Sequence, residues 1–363
     1  MSSLNPKLFK NKTTHIKLIK KFDQFKLDDT KNLIIYDKIL LRNTSFSKWI
    51  RTQSLSYGVI AGESLKQISE FSKHIEKIAI LTEGISPRQL QIVAVGGGSV
   101  GDFTGFVASI YKRGVSLIQC PSTWLAAMDS AHGGKNALNL GSIKNQIGTF
   151  YFPKEVVLIE ELLKSQPEVR LQEAFGEFFK MVILDEILWK KSMKMKDFTI
   201  DSLWKILPEV IKAKYRVVAR DPLEQKGFRQ NLNLGHTLGH VFESCHGLSH
   251  GVAINFGLTF ALQYSSYKGI LSEKQLWKIL EHPLASRLLT PQSLWPTNKK
   301  DLLKFKKTLL ADKKSMDLKS VNFIFIKKPG KVFRKTIDFE SLFSEIERQS
   351  SEYRRVESNN VSI

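Results

Sequence analysis

Three consecutive glycines, at positions 96–98, stand between a short apolar run and a helix-like segment, and this arrangement restricts the fold more than any other feature of the chain. The apolar run, residues 91–95, has the length and β-branched character of a buried strand. Residues 103–110 have the apolar content of a helix that follows the loop. A strand, a glycine turn and a helix in that order are typical of α/β proteins.

Two further strands are predicted in the first part of the chain, at residues 32–36 and at residues 115–120, where Pro121 closes the run. Helix-length segments separate the strands, which implies helical crossovers and a parallel sheet. From Leu162 to Leu284 the apolar residues instead recur every three or four positions, as they do in helices.

The pattern therefore predicts two domains, as expected for 363 residues. Residues 1–160 are expected to form the α/β domain and residues 161–349 the helical one. A lone strand is predicted at residues 321–326, before Pro329 and Gly330. Residues 350–363 are polar, and we expect this tail to be disordered.

Composition places the chain among globular proteins, and its cysteine content suggests a reducing compartment. No run of about 18 apolar residues is present, and the basic opening lacks the apolar stretch of a secretory signal. Two cysteines, Cys120 and Cys245, are too few for a disulfide framework, which favours the cytoplasm. The net charge of +20 comes from lysines spread along the chain, so a solvated basic surface is expected and a nucleic-acid partner is not.

The glycine loop has two interpretations. Gly96, Gly98 and Gly101 have the G-x-G-x-x-G spacing that lets backbone N–H groups approach a phosphate, but the same glycines suit a tight strand–helix turn. The usual acid about 20 residues later is missing, since no Asp or Glu lies between Asp102 and Asp129. Upstream carboxylates that could instead bind ribose hydroxyls are Asp37 and Glu63.

Charged and amide side chains follow the third strand. Residues 129–135 place Asp129 and Lys135 around a pair of glycines, and Lys144 and Asn145 come shortly after. Such a group on loops at one sheet edge suits an anionic ligand. A solvated turn is the alternative interpretation.

Four of the eight histidines lie within residues 236–250. His236 and His240 are four apart, hence on one face of a helix, where imidazoles can share a divalent cation. The spacing does not decide which histidines bind metal, and a histidine on an apolar face can also be a core residue. Glu177 and Lys180 are either a buried pair with a function or an ordinary surface ion pair.

Taken together, these motifs resemble those of the 3-dehydroquinate synthase family, a branch of the sugar phosphate cyclases. The resemblance extends from about Gly62 to Gly257, with a weaker echo at residues 312–314. The matching blocks are Gly62-Glu63-x-x-Lys66, the glycine loop, residues 111–115, residues 129–135, Lys144-Asn145, Glu177-x-x-Lys180 and residues 232–240.

The resemblance implies a Rossmann-like, NAD-binding α/β domain followed by an all-α, metal-binding domain, in a homodimer. It implies that zinc or cobalt is held by Glu177, His236 and His250, which leaves His246 as a bystander. By the same resemblance NAD would contact Asp37, Glu63, Lys66, Gly98, Ser99, Val100, Gly101, Asp102, Ser122, Thr123, Lys135, Lys144 and Ser165.

The family's reaction closes a phosphorylated seven-carbon sugar acid into 3-dehydroquinate with loss of phosphate, in the shikimate pathway to aromatic amino acids. In this family an arginine of the partner subunit contributes to the active site, and the resemblance implies that Arg113 is that arginine. The implied catalytic residues are Asp129, Lys135, Lys180, Lys214, Glu224, Arg229, Asn233 and His240, and the implied substrate-anion residues are Arg113, Asn145, Arg229, Lys313 and Lys314.

The chain departs from the family pattern at three places. Val252 stands where a glutamate is usual after His250-Gly251, so we expect weaker support of His250, and Asn136 replaces a threonine. The segment from Asp221 to Arg229 is one residue longer than the usual family spacing. The match of Glu224 to the family's active-site glutamate therefore rests on a shifted spacing. The alternatives are a cyclase for neutral sugar phosphates, an iron-type alcohol or glycerol dehydrogenase, and an inactive paralogue.

Overall fold

The computed structural model describes residues 7–9, 12–28, 31–288, 294–296, 298–312 and 319–360. They form two compact units. The first is Met1–Leu171 with Leu203–Gln225, and the second is Gln172–Ser202 with Lys226–Ile363. The two units interleave in sequence, because residues 203–225 return to the first unit. No single residue therefore divides them, and the domain boundary at residue 160 stays a prediction.

The described strands of the first unit are β1 (Lys7–Phe9), β2 (Lys12–Thr13), β3 (His15–Ile19), β4 (Lys31–Asp37), β5 (Leu55–Val59), β6 (Leu90–Gly96), β7 (Ser116–Pro121), β8 (Lys135–Leu140), β9 (Ile143–Phe150) and β10 (Glu155–Ile159). Six of them form a parallel sheet with the order β3-β10-β7-β6-β4-β5. Helices of the first unit are α1 (Thr44–Ile50), α2 (Ile68–Leu81), α3 (Gly98–Ile110), α4 (Trp124–Met128) and α5 (Glu160–Lys164).

Both faces of the sheet are buried along its inner strands β4, β6, β7 and β10, which explains why these strands contain apolar runs. Along β4, Ile34 packs on the face covered by Phe46 and Trp49, whereas Leu33 and Ile35 pack on the opposite face. The predicted parallel sheet with helical crossovers is confirmed, and β8 and β9 add an antiparallel hairpin beside it.

The second unit is mainly helical, as predicted. The remaining helices of the chain are α6 (Glu168–Leu184), α7 (Glu186–Ser192), α8 (Ile200–Val218), α9 (His236–His246), α10 (His250–Tyr267), α11 (Glu273–Leu280), α12 (Lys299–Asp312) and α13 (Phe339–Asn360). Most of α8 belongs to the first unit. None of the described helices has the length and apolar character that crossing a membrane requires.

Two local predictions differ from the structure. The strand β11 (Ser320–Lys328) is not alone, because it pairs with β12 (Lys331–Asp338) in a hairpin. The charged side chains of β12 are largely exposed, so its sequence carries little of the apolar signal by which strands are detected. The helix α13 extends to Asn360, where the sequence predicts a disordered tail from Ser350.

Candidate functional site

The glycine loop lies at the carboxyl edge of the parallel sheet. Gly96 ends β6, Gly98 begins α3, and the backbone N–H of Ser122, just after β7, donates to the Gly96 carbonyl at 2.8 Å. Asp37 ends the neighbouring strand β4. The glycine loop and Asp37, a predicted ribose contact, therefore lie at the same edge of the sheet. Ligands of open parallel sheets bind at this edge.

The glycines of the loop are not equivalent. A Cβ on Gly96 would lie 2.6 Å from the Val100 side chain, and one on Gly101 would lie 3.0 Å from Gln119 Oε1. A Cβ on Gly98 would meet only Ser130 Oγ, at an ordinary 3.5 Å. Packing therefore accounts for Gly96 and Gly101, whereas no close packing contact of this kind requires a glycine at position 98 among the described residues.

A polar network lies beside the loop. The Lys66 ammonium, 5% exposed as a residue, donates to Asp102 Oδ2 and to Asn145 Oδ1, both at 2.6 Å. Glu63 Oε2 accepts from Asn139 at 2.7 Å, and Ser99 Oγ accepts from the Gly62 N–H at 3.0 Å. Burial raises the pKa of Asp102, while the adjacent Lys66 opposes that rise.

Three side chains assigned to NAD contacts also have structural roles. Asp37 and Thr123 cap short helices, accepting from the backbone N–H groups of Ile39 and Ala126. The Ser165 hydroxyl donates to the Leu162 carbonyl. Their assignment as NAD contacts stays a prediction. Of the other assigned residues, Ser122 and Val100 are buried and Lys144 is exposed.

Two lysine–carboxylate pairs lie in the first unit. Lys214, 4% exposed, donates to Asp129, and Lys135 pairs with Glu224. Glu224 has a φ of 58°, a left-handed conformation that non-glycine residues seldom adopt. The structure thus brings Glu224 beside Lys135, a predicted catalytic lysine, while the predicted extra residue between Asp221 and Arg229 stays a prediction.

Arg113 lies in a turn whose three residues, Lys112, Arg113 and Gly114, all have positive φ. Lys112 donates to the carbonyls of Thr82 and Ile85, which holds the turn. The partner-subunit role implied for Arg113 stays a prediction, and Lys313 and Lys314 lie outside the described residues.

The second unit brings together the carboxylate and two of the histidines. Glu177 lies within α6, and His236 and His250 are the first residues of α9 and α10. The Nε2 atoms of His236 and His250 lie 3.5 and 3.4 Å from Glu177 Oε1. One ligand atom from each residue lies within 4.8 Å of the others, a spacing suited to one metal ion. The His240 ring centroid lies 5.4 Å from that of His236 and 6.1 Å from that of His250.

Glycines allow the three helices to come this close. A Cβ on Gly251 of α10 would lie 1.5 Å from the Glu173 carbonyl oxygen of α6, and one on Gly176 would lie 2.1 Å from the Gly251 carbonyl oxygen. A Cβ on Gly257 would lie 1.8 Å from the carbonyl oxygen of Gly235, the residue before α9. These backbone contacts hold the start of α10 against the middle of α6, where Glu177 lies, and the start of α9 against the middle of α10.

The charges of the cluster are buried. Glu177 and Lys180 are each 2% exposed and in contact, so the alternative of a surface ion pair is wrong. Burial would raise the pKa of Glu177, but Lys180 and the two histidines hold that pKa well below its usual value. Burial lowers the pKa of His236 well below the usual range. A buried carboxylate beside neutral imidazole is the donor set that zinc and cobalt prefer.

In His236 and His250 the second ring nitrogen, Nδ1, lies within hydrogen-bond distance of a protein oxygen. His236 Nδ1 lies 3.2 Å from the Leu234 carbonyl oxygen, and His250 Nδ1 lies 3.0 Å from Glu243 Oε2. Burial opposes protonation of His250, but the hydrogen bonds to Glu177 and Glu243 raise its pKa to about 9 in the absence of metal. Glu243 was not predicted from the sequence, although it lies seven residues after His236 on α9.

The other predicted residues of the second unit lie near the start of α9. Arg229 is buried, 3% exposed, in the short 3₁₀ helix Arg229–Asn233, whereas Asn233 is exposed and His240 is partly buried. His246, the predicted bystander, is exposed at the end of α9, where its ring packs against Phe242 and Phe305.

Comparison with known sequences identifies relatives across much of the chain. The family profile "3-dehydroquinate synthase N-terminal" matches residues 56–173, and the profile "3-dehydroquinate synthase C-terminal" matches residues 174–315. A bifunctional shikimate kinase/3-dehydroquinate synthase of Thermotoga maritima is 35% identical over 274 residues, or 75% of this chain and 54% of that protein. A 3-dehydroquinate synthase of Pyrobaculum aerophilum is 36% identical over 242 residues, or 64% of this chain and 69% of that protein.

The chain thus spans about half the length of the Thermotoga relative. Among solved structures, 2-deoxy-scyllo-inosose synthase complexed with carbaglucose-6-phosphate, NAD+ and Co2+ superposes with a TM-score of 0.79. The match covers 95% of this chain and 99% of that one, at 22% sequence identity. At this identity the likeness establishes a common fold.

Proposed function

The chain belongs to the 3-dehydroquinate synthase family, and from this premise we propose that it converts 3-deoxy-D-arabino-heptulosonate 7-phosphate into 3-dehydroquinate and phosphate. The activity is that of a carbon–oxygen lyase of the shikimate pathway. The observation that carries the proposal is the buried cluster of Glu177, His236 and His250, in which three ligand atoms converge. An inactive paralogue would have no reason to keep such a charged group buried.

Glu177, His236 and His250 would hold one divalent cation, zinc or cobalt. The three donor atoms and the burial of the carboxylate fit such an ion. When bound, the ion supplies a Lewis acid that polarises a substrate hydroxyl. Lys180 contacts Glu177 and keeps this carboxylate in its charged, metal-binding form.

The first unit would hold NAD at the glycine loop. Two observations fit a phosphate-bearing dinucleotide: a Cβ on Gly98 would meet only Ser130 Oγ, and Lys66 and Asp102 form a buried pair. When bound, NAD supplies a reversible hydride acceptor. The residues proposed to contact it are Asp37, Glu63, Lys66, Gly98, Ser99, Val100, Gly101, Asp102, Ser122, Thr123, Lys135, Lys144 and Ser165.

The remaining residues would bind the phosphate and carboxylate of the substrate and move its protons. Arg229 presents a planar guanidinium suited to an oxyanion, and Lys214 and Lys135 are cations whose carboxylate partners fix their positions. The proposed catalytic set is Asp129, Lys135, Lys180, Lys214, Glu224, Arg229, Asn233 and His240, with Arg113, Asn145, Lys313 and Lys314 as further anion-binding residues.

A cyclase that acts on a neutral sugar phosphate is the second candidate. Val252 and Asn136 favour it, since both positions lie beside proposed site residues and both depart from the family pattern. Arg229 favours the acidic substrate instead, because a neutral sugar has no carboxylate for a second cationic group to bind.

The proposed function is tested by incubating the purified protein with the heptulosonate phosphate, NAD and Zn²⁺ or Co²⁺. We expect release of one phosphate per carbocycle formed and no net production of NADH, because the hydride returns to the product. Net NADH formation from an alcohol would instead identify a dehydrogenase, and release of phosphate only from a neutral heptulose phosphate would support the second candidate.

Replacing Gly98 with valine is expected to abolish NAD binding while the fold survives. The valine side chain would stand where we propose that the pyrophosphate binds, yet outside its own helix turn its Cβ would meet only Ser130 Oγ, at an ordinary 3.5 Å. Equilibrium dialysis with NAD and a thermal unfolding scan would measure both effects. Unchanged NAD affinity, or full turnover after complete removal of NAD, would contradict the assignment.

The subunit arrangement and the location are also proposals. We infer a homodimer because the family resemblance implies that Arg113 corresponds to an arginine that the family supplies from the partner subunit. The two free cysteines, of which Cys120 is buried, agree with a reducing cytoplasm.

A further inference from the structure

We propose that Glu243 is a positioning residue of the metal centre, one that holds the His250 ring so that Nε2 faces the cation. The inference rests on the proposed function, since it concerns the same three ligands. An imidazole has two nitrogens, and only the one without a proton can bind a metal. Whichever group accepts a hydrogen bond from Nδ1 therefore decides that Nε2 is the ligand.

The geometry around His250 meets this requirement. Glu243 Oε2 lies 3.0 Å from Nδ1, while Nε2 on the other side of the ring lies 3.4 Å from Glu177 Oε1. The ring thus bridges two carboxylates, one of which belongs to the proposed ligand set. A carboxylate that accepts from Nδ1 also makes Nε2 a stronger electron donor toward a metal.

The chain fold delivers Glu243 to this position. His236, His240 and Glu243 are spaced i, i+4, i+7 and so lie along one face of α9. Gly247, with a φ of 66°, ends α9 in a left-handed cap, and α10 begins three residues later with His250. The short turn brings the first residue of α10 back onto the last turns of α9, where the Glu243 side chain lies.

His250 depends on a side chain in a way that His236 does not. The Nδ1 of His236 is oriented by a backbone carbonyl, that of Leu234, which no substitution removes. The His236 side chain is 15% exposed and the His250 side chain 35% exposed, so packing restrains His250 less. A carboxylate that fixes its ring is therefore worth more at His250.

The same contact changes the interpretation of Val252. The sequence predicts weaker support of His250, because Val252 replaces a glutamate that is usual in the family. The structure gives His250 a carboxylate partner from α9 instead of from its own helix. The expectation of weaker support through position 252 stays a prediction, but His250 does have a carboxylate partner, which spacing along its own helix does not reveal.

Metal affinity measured without turnover tests the proposal. The metal-free protein is titrated with Zn²⁺ against a chromophoric chelator, for wild type, Glu243→Ala, Glu243→Gln and the control Glu281→Gln. Glu281 is an exposed carboxylate at the end of α11, so its change removes the same charge from the same unit. We expect Glu243→Ala to bind Zn²⁺ about 10–100-fold more weakly. The amide oxygen of Glu243→Gln can still accept from Nδ1, so its affinity for Zn²⁺ should lie between those of wild type and Glu243→Ala. The affinity of the control should match that of wild type.

A double variant separates positioning from a general effect. If Glu243 acts through His250, adding Glu243→Ala to His250→Ala should weaken Zn²⁺ binding no further. Thermal unfolding of the metal-free proteins shows whether Glu243 only joins α9 to α10: a purely structural role would lower the unfolding temperature and leave the affinity of the folded protein unchanged. That result, or additive losses in the double variant, would overturn the proposal. Should Glu243→Ala fail to fold, Glu243→Gln, which has the same size, gives the decisive comparison.

Failure of this inference differs from failure of the proposed function. If wild type binds Zn²⁺ no better than His236→Ala, the metal centre itself is absent and the proposed function fails with it. If wild type binds Zn²⁺ tightly and both Glu243 variants bind equally well, only the role of Glu243 is overturned.

Discussion

His236→Ala is expected to lose the bound divalent cation and to lower kcat by about 10³-fold or more, because Lewis-acid stabilisation contributes several kcal/mol and each 1.36 kcal/mol is a factor of ten. The substitution removes one of the three proposed ligands, Glu177, His236 and His250. It also removes the neutral imidazole that fits this buried position. Elemental analysis and turnover of the purified variant, beside wild type prepared in the same way, measure both effects.

His246→Ala is the matched control, since His246 lies on the same helix. Its exposed ring packs against Phe242 and Phe305 and has no contact with the three ligands among the described residues. We expect near-normal metal content and turnover, with a loss of stability of at most about 1 kcal/mol, the scale of aromatic pair contacts. If His236→Ala keeps full metal occupancy and activity, the ligand assignment is wrong.

The fold could largely be predicted from the sequence because its strongest signals are local. The strand before the glycine loop, the strand that ends at Asp37 and the strand closed by Pro121 all occur in the structure at nearly the predicted residues. Buried parallel strands have continuous apolar runs, which single-sequence patterns reveal. The strand β12 was missed because it is charged and exposed, so its pairing with β11 leaves little trace in its own residues.

The candidate site could be predicted from the sequence only in part, because it depends on contacts between helices. Residue spacing identified a histidine cluster but not which members point at Glu177, because that depends on how α6, α9 and α10 pack. Packing is governed here by glycines such as Gly176 and Gly251, whose contacts are with carbonyl groups of another helix. The choice of His236 and His250 came from the family resemblance, and the contact of Glu243 with His250 came from the structure alone.

Arg229→Lys is expected to lower kcat/KM for the heptulosonate phosphate by about 10²-fold, equivalent to about 3 kcal/mol of lost interaction. Arg229 is 3% exposed, so its guanidinium has little water to replace a missing partner. Lysine keeps the charge but is a point donor, whereas the planar guanidinium donates two parallel hydrogen bonds to one oxyanion. Arg220→Lys, at an exposed position after α8, is the control and should be silent.

Comparing two substrates shows which of their anionic groups Arg229 binds. A molecule with both a phosphate and a carboxylate needs separate cationic groups, because each anion must leave water and still be paired. If Arg229 reads the carboxylate, Arg229→Lys should impair the heptulosonate phosphate far more than a neutral sugar such as sedoheptulose 7-phosphate. An equal loss on both substrates would assign Arg229 to the phosphate that they share. A preference of the wild-type protein for the neutral sugar would overturn the dehydroquinate assignment, and Val252 and Asn136 would then mark a cyclase with a different substrate.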